Sequence, residues 1–122
     1  MSDNSFTSDI DRKEILFQID KLSCAYNNGQ PVLEAENIYI PKRKITVLLG
    51  SSGSGKSTLL ETLGLMTKTV DHETSSIRFY PNDTEEYDLA NIWSDDQEDD
   101  RYRIRKLYYS FIFQSTNLMA NF

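Results

Sequence analysis

"GSSGSGKST", residues 50–58, decides how this chain is read. It follows the apolar run "ITVLL" (45–49) and fits the spacing G-x-x-x-x-G-K-[ST] at Gly50, Gly55, Lys56 and Ser57. A loop that wraps a phosphate turns successive backbone N–H groups inward, through dihedrals that only glycine adopts cheaply. A helix beginning directly after the loop points the positive end of its dipole at the same phosphate. Lys56 adds a full charge for the β- and γ-phosphates. The Ser57 hydroxyl is a candidate Mg²⁺ ligand, and Thr58 reaches the α-phosphate. The candidate phosphate-binding set is therefore Gly50, Ser51, Ser52, Gly53, Ser54, Gly55, Lys56, Ser57 and Thr58. The ligand class is a nucleotide polyphosphate with Mg²⁺; the spacing leaves the base open.

Outward from the loop, the sequence implies a strand before it and a helix after it. "ITVLL" is apolar on both faces, which predicts a central strand covered on each side. "KSTLLETLGLM" (56–66) sets Leu59, Leu60, Leu63 and Met66 on one helical face. Further upstream, "EILFQIDK" (14–21) and "LEAENIYI" (33–40) alternate as half-buried strands do, separated by the turn residues "NNGQP" (27–31). "PKRK" (41–44) is a second turn. Downstream, "TKTVDHETS" (67–75) reads as polar linker, "SIRFY" (76–80) as a short strand and "PNDTE" (81–85) as a turn. "SDDQEDDRYRIRK" (94–106) reads as a helix with Ser94 as N-cap, acids in its first turns and bases in its last. "LYYSFIF" (107–113) is aromatic and favours a strand. The fold class is α/β with an added antiparallel part.

The bulk numbers set limits. The chain has 122 residues, suited to one compact domain or part of a larger one. Its 13 basic and 19 acidic side chains give a net charge of −6, so no general attraction to nucleic acid or anionic lipid is expected. Cys24 is the only cysteine and cannot form an internal disulfide; it reads as a half-buried core residue. "MSDNSFTSDIDR" (1–12) has no secretory pattern and reads as a flexible tail, with 13–122 as the folded part. No apolar run approaches the roughly 20 residues that span a bilayer. The expected location is the cytoplasm, with any contact to a membrane made through partner subunits.

From about residue 14 onward the chain resembles the nucleotide-binding domain of ATP-binding cassette (ABC) proteins, a P-loop NTPase fold. The block "LSCAYNNGQPVLEAENIYIPKRKITVLLGSSGSGKSTLLETLGLM" carries the likeness, as does "YYSFIFQSTNLM". The resemblance implies that Tyr26 stacks on adenine, a role suited to a flat ring with little side-chain entropy to lose. It implies that Gln114 is the Q-loop glutamine, a neutral amide able to join the Mg²⁺ shell or orient an attacking water. Lys56 and Gln114 are then the candidate catalytic residues, with ATP and Mg²⁺ as cofactors. The implied partners are a second nucleotide-binding domain and transmembrane subunits, with ATP hydrolysis coupled to transport. The stretch from "SIRFY" through "RYRIRKLYYSFIFQ" is similar to the exporter and lipoprotein-release branch. Arg43, Ser76 and Ser110 stand where the family usually has glycine.

Within these residues the family's LSGGQ-type signature, Walker B strand and switch histidine do not occur; His72 sits in the polar linker and reads as exposed. The expectation is a partial domain with an incomplete sheet, ending after the Q-loop. It would bind ATP without hydrolysing it efficiently alone, because phosphoryl transfer needs a group to activate water. Three rival readings stand beside this one. A small phosphate-loop kinase would need a lid, and Arg101, Arg103 and Arg105 are spread around a helix. A GTPase would need DxxG and NKxD, which are absent. A truncated non-catalytic nucleotide-binding or interaction module is the third.

Overall fold

The computed structural model describes residues 13–26, 28–51, 55–94 and 98–112. Its centre is a four-stranded antiparallel sheet in the order β2-β1-β3-β4, formed by β1 (Ile15–Ala25), β2 (Pro31–Pro41), β3 (Ser76–Phe79) and β4 (Tyr87–Asp88). Helices α1 (Lys56–Leu63) and α2 (Glu98–Tyr108) complete the frame, with a 3₁₀ turn at Asn91–Trp93. The antiparallel part expected from the alternating segments is present, and β1 and β2 are longer than the sequence suggested.

β1 is an inner strand, hydrogen-bonded to β2 on one side and to β3 on the other. Alternation of burial fades at its start. Phe17, Gln18 and Ile19 are all buried, in register with Ile40, Tyr39 and Ile38 of β2 and with Phe79, Arg78 and Ile77 of β3. Gln18 is held by donating from Nε2 to Asp20 Oδ1 at 3.1 Å, and Asp20 in turn accepts from the Arg78 guanidinium. That carboxylate raises the Arg78 pKa above its ordinary value.

One apolar cluster unites the elements. β1 gives Phe17, Ile19, Leu22 and Cys24; α1 gives Leu59 and Leu63; β3 gives Ile77 and Phe79; α2 gives Ile104. Phe79 lies at its aromatic centre, stacked on Phe17 at 4.9 Å and edge-on to Tyr108 and Tyr109 at 5.7 and 5.5 Å. Burying such a ring stabilises the fold by about 1.5–3 kcal/mol, and the edge-on geometry suits the ring quadrupoles. Val70 belongs to the same cluster and bridges to Cys24, so the stretch read as polar linker is anchored in its middle. His72, read as exposed, is half-buried.

α1 is shorter than the pattern over 56–66 implied. It stops at Leu63 because Leu65 takes a left-handed φ of 58°. The N–H of Leu65 then donates to Thr62 O at 3.1 Å and that of Met66 to Glu61 O at 2.9 Å, a Schellman-type close. Leu59 and Leu63 are buried, whereas Leu60 and Met66 are exposed. Arg105 of α2 donates to Leu65 O at 2.6 Å, fastening the two helices. Gly64 allows the close approach of Phe111, since a Cβ there would lie 2.7 Å from its ring.

Three further expectations are corrected. Residues 45–49 are not a buried strand: Ile45, Val47 and Leu49 are 93%, 68% and 88% exposed, and only Leu48 packs on the core. No backbone–backbone hydrogen bond between described residues involves 45–51, so no described segment forms a ladder with it. The aromatic run 107–113 is not a strand either. α2 continues through Tyr108, and 109–112 carry no regular element, while Phe113 lies outside the described residues. Tertiary contacts of Tyr108 and Tyr109 with Phe79 override their β propensity. Ser94 closes the 3₁₀ turn by donating from Oγ to Asn91 O at 2.6 Å rather than capping α2, whose described part begins at Glu98.

Candidate functional site

The motif of the opening stretch sits where the chain enters α1. Gly55 is the N-cap, with φ 95° and ψ 6°, a left-handed conformation that favours glycine. The first helical bond runs from Leu59 N–H to Gly55 O at 2.9 Å. By helix geometry the N–H groups of Lys56, Ser57 and Thr58 then have no partner inside the helix. No side-chain cap takes them, and the first turn contains no acidic residue. The end of α1 therefore presents donors that have no helical partner and face no competing carboxylate.

Lys56 bends back over the loop. Its Nζ donates to Gly50 O and to Ser51 O, the latter at 3.0 Å. These two bonds tie the first residue of α1 to the backbone of Gly50 and Ser51. Ser57 is exposed, and Thr58 is half-buried. Ser52, Gly53 and Ser54 lie outside the described residues, as does Gln114.

The β1–β2 hairpin packs against the start of α1. Leu33 of β2 lies against Gly55: a Cβ on that glycine would sit 2.9 Å from Leu33 Cδ1. Leu33 is in register with Cys24 of β1. Cys24 is buried, with Sγ 3.7 Å from Thr62 Oγ1 on α1. Two residues beyond Cys24, β1 has ended and Tyr26 stands 56% exposed. Its backbone is fixed by a turn in which Tyr26 N–H donates to Gln30 O at 3.0 Å and Gly29 N–H donates to Tyr26 O at 2.8 Å. Tyr26 and the loop, 24 residues apart at Gly50, thus belong to the same end of the molecule, joined through Cys24, Leu33 and Gly55. Leu33 was not singled out by the sequence. The signal for it was the alternation that pairs it with Ala35 on the inward side of β2.

Beyond α1 an apolar groove of about 720 Å³ is lined by Leu16, Ile40, Leu48, Tyr109 and Phe111, with Ser57 also at its wall. Burial of Tyr109 in this apolar setting pushes its phenol well above the ordinary value. On the far side of α2, Glu85 accepts from Tyr108 OH at 2.5 Å, Asn82 Nδ2 at 2.7 Å and Tyr87 OH at 3.1 Å. These donors, Tyr108 first, hold the Glu85 carboxyl below the usual range. The same bond to Glu85 pushes Tyr108 up to about 12.

A family model described as "ABC transporter" matches residues 33–122. The chain belongs to this family. Among curated ABC relatives, the macrolide export ATP-binding/permease protein MacB of Vibrio parahaemolyticus is 30% identical over 111 residues, 88% of this chain and 15% of that protein. The lipoprotein-releasing system ATP-binding protein LolD of Ehrlichia canis is 36% identical over 96 residues, 79% of this chain and 38% of that protein. The phosphate import ATP-binding protein PstB 2 of Lactococcus lactis is 38% identical over 61 residues, 50% of this chain and 23% of that protein. The chain thus spans well under half the length of these ABC relatives. No solved structure matches it.

ABC membership carries the P-loop NTPase fold class, with which the antiparallel sheet and two helices are compatible. Among the described residues no helix is long and apolar enough to cross a membrane. Nor does any group of three or more His, Cys, Asp or Glu residues stand ready to hold a metal there.

Proposed function

We propose that this chain binds ATP with Mg²⁺ as part of an ABC transporter ATPase, and that the loop Gly50–Thr58 holds the phosphates. The observation that carries the reading is the start of α1. There a left-handed Gly55 opens α1, its first N–H groups have no side-chain cap, and the Lys56 ammonium lies against the carbonyls of Gly50 and Ser51. The residues fit the group: the donors suit phosphate oxygens, Ser57 offers the metal a hydroxyl, and no acid in the first turn opposes an anion.

Each remaining role extends that core. Tyr26 stacks on the adenine ring, which its exposure permits. Gln114 serves as the Q-loop amide that senses the metal and the attacking water. Lys56 stabilises charge on the β- and γ-phosphates during transfer. Residues 13–122 form the ABC domain portion, with 1–12 as a tail. In the assembled transporter the chain works at the cytoplasmic side, against a second nucleotide-binding domain and transmembrane subunits. The LolD and MacB relatives match 79% and 88% of this chain and support a lipoprotein-release or exporter branch, while the import protein PstB 2 matches 50% of it at 38% identity, so the direction of transport is left open.

The test is a titration of the full chain with ATP and GTP in the presence of Mg²⁺, repeated on Lys56→Ala and Tyr26→Ala. Lys56→Ala is expected to weaken ATP at least tenfold, and Tyr26→Ala to erase the preference for ATP over GTP. Equal ATP binding by wild type and Lys56→Ala would defeat the proposal.

A further inference from the structure

We infer that Leu33 is a positioning residue for the phosphate loop, setting the direction in which Gly55 delivers the chain into α1. The inference rests on the nucleotide-binding reading and adds a residue to it. Gly55 has the widest conformational freedom of any residue type, so its left-handed φ of 95° needs an external constraint to be the single populated state. Leu33 supplies one. A Cβ built on Gly55 would meet Leu33 Cδ1, Cβ and Cγ at 2.9, 3.5 and 3.6 Å, so this side chain fills the space directly beside the glycine.

Leu33 is itself held. It is half-buried against the core and sits opposite Cys24 in the β1–β2 register. Cys24 touches α1 through Thr62. One rung of the hairpin therefore grips α1 twice, at its first residue boundary and about two turns later. This fixes the axis of α1 relative to the loop, and with it the aim of the N–H groups of Lys56, Ser57 and Thr58. Removing the Leu33 side chain frees Gly55 to sample other dihedrals while the sheet and the Tyr26 turn stay in place. The loss should fall on the phosphates and spare the nucleoside.

The experiment compares Leu33→Ala, Leu33→Met and Ile38→Ala in the full chain. Ile38 is a half-buried residue of the same strand, paired with Ile19 and five positions further along. ATP and AMP affinities are measured with Mg²⁺ by competition against a fluorescent nucleotide, and thermal unfolding is recorded in parallel. Leu33→Ala is expected to weaken ATP roughly tenfold, the loss of one hydrogen bond to a charged group, and AMP less than about twofold. Leu33→Met, which refills the space, restores the ATP-to-AMP ratio. Ile38→Ala lowers the melting temperature without changing that ratio. Equal losses for ATP and AMP in Leu33→Ala, or a ratio unmoved, overturn the inference while leaving nucleotide binding intact. A wild-type chain that binds neither nucleotide removes the underlying reading as well. Should Leu33→Ala fail to fold, the Leu33→Met and Leu33→Val ratios decide the matter: a loss graded with side-chain size upholds the role, and no loss rejects it.

Discussion

Replacing Gly55 with alanine tests the local physics of the loop separately from any ligand. Two costs act at this position. An L-residue held left-handed costs about 1–2 kcal/mol, and Gly55 sits at φ 95°. The new Cβ would also lie 2.9 Å from Leu33 Cδ1, closer than carbon atoms pack. Leu33 is only half-buried and the clash is with its flexible tip, so crowding sits at the low end of the overpacking range, about 1 kcal/mol. Alanine stiffens the unfolded chain relative to glycine and offsets about 0.4–1 kcal/mol of this. The net destabilisation is about 2 kcal/mol, which for a chain of this size lowers the melting temperature by roughly 10 °C. The two costs can be separated. In a Leu33→Ala/Gly55→Ala double variant the Cδ1 contact no longer exists, so only the dihedral cost remains. The double variant should then be about 1 kcal/mol more stable than the two single effects predict when added. The assay is urea unfolding of the four proteins, followed by far-ultraviolet circular dichroism. Strict additivity would refute the Leu33 contact as a source of strain, and a Gly55→Ala chain as stable as wild type would refute both costs.

Two other outcomes are expected. Arg43 has φ 58° and is highly exposed, with only a 3.7 Å ion pair to Glu14 and a 3.3 Å bond to Lys13 O to lose. Arg43→Gly should therefore unfold no lower than wild type and up to about 1 kcal/mol higher in thermal melts. The Glu85–Tyr108 tie gives stability that depends on pH at both ends. Glu85 is depressed, so its contribution is present above the ordinary carboxylate range and is lost as pH falls through the lowered value. Tyr108 is raised from 10.0 to about 12, so its contribution is full below 10.0 and is lost as pH climbs toward 12. Tyrosinate absorbance should show two late-titrating phenols, Tyr108 and Tyr109, of which only that of Tyr108 returns toward the ordinary range in Glu85→Gln.

Much of the frame was legible in the sequence because it is built from local signals. The alternation of Ile15, Phe17 and Ile19 marked β1, and Asn28–Gly29 marked the turn to β2, where Gly29 has φ 84°. The lysine and glycine spacing marked the start of α1. What sequence could not supply was the identity of neighbours. "ITVLL" announces that it prefers burial, yet burial requires a partner strand, and no described element lies alongside it. Tyr108 and Tyr109 read as strand formers until Phe79 is seen to hold them beside a helix end. At the site, Gly55 was legible as a necessity of the loop, but the side chain that confines it comes from 22 positions upstream and carries no motif. Of the three residues standing at usual glycine positions, only Arg43 has a left-handed φ; Ser76 and Ser110 do not.

The outward-facing Ile45, Val47 and Leu49 bear on how the purified protein behaves in the tube. Three β-branched or aliphatic side chains in alternation, on backbone that makes no backbone–backbone hydrogen bond with described residues, make a template onto which a second extended segment can add. The exposed Arg43 and Lys44 stand directly before it as charged gatekeepers. Screening those cations with salt should therefore promote clouding at temperatures below the melt, so turbidity in this protein would track ionic strength more closely than it tracks unfolding.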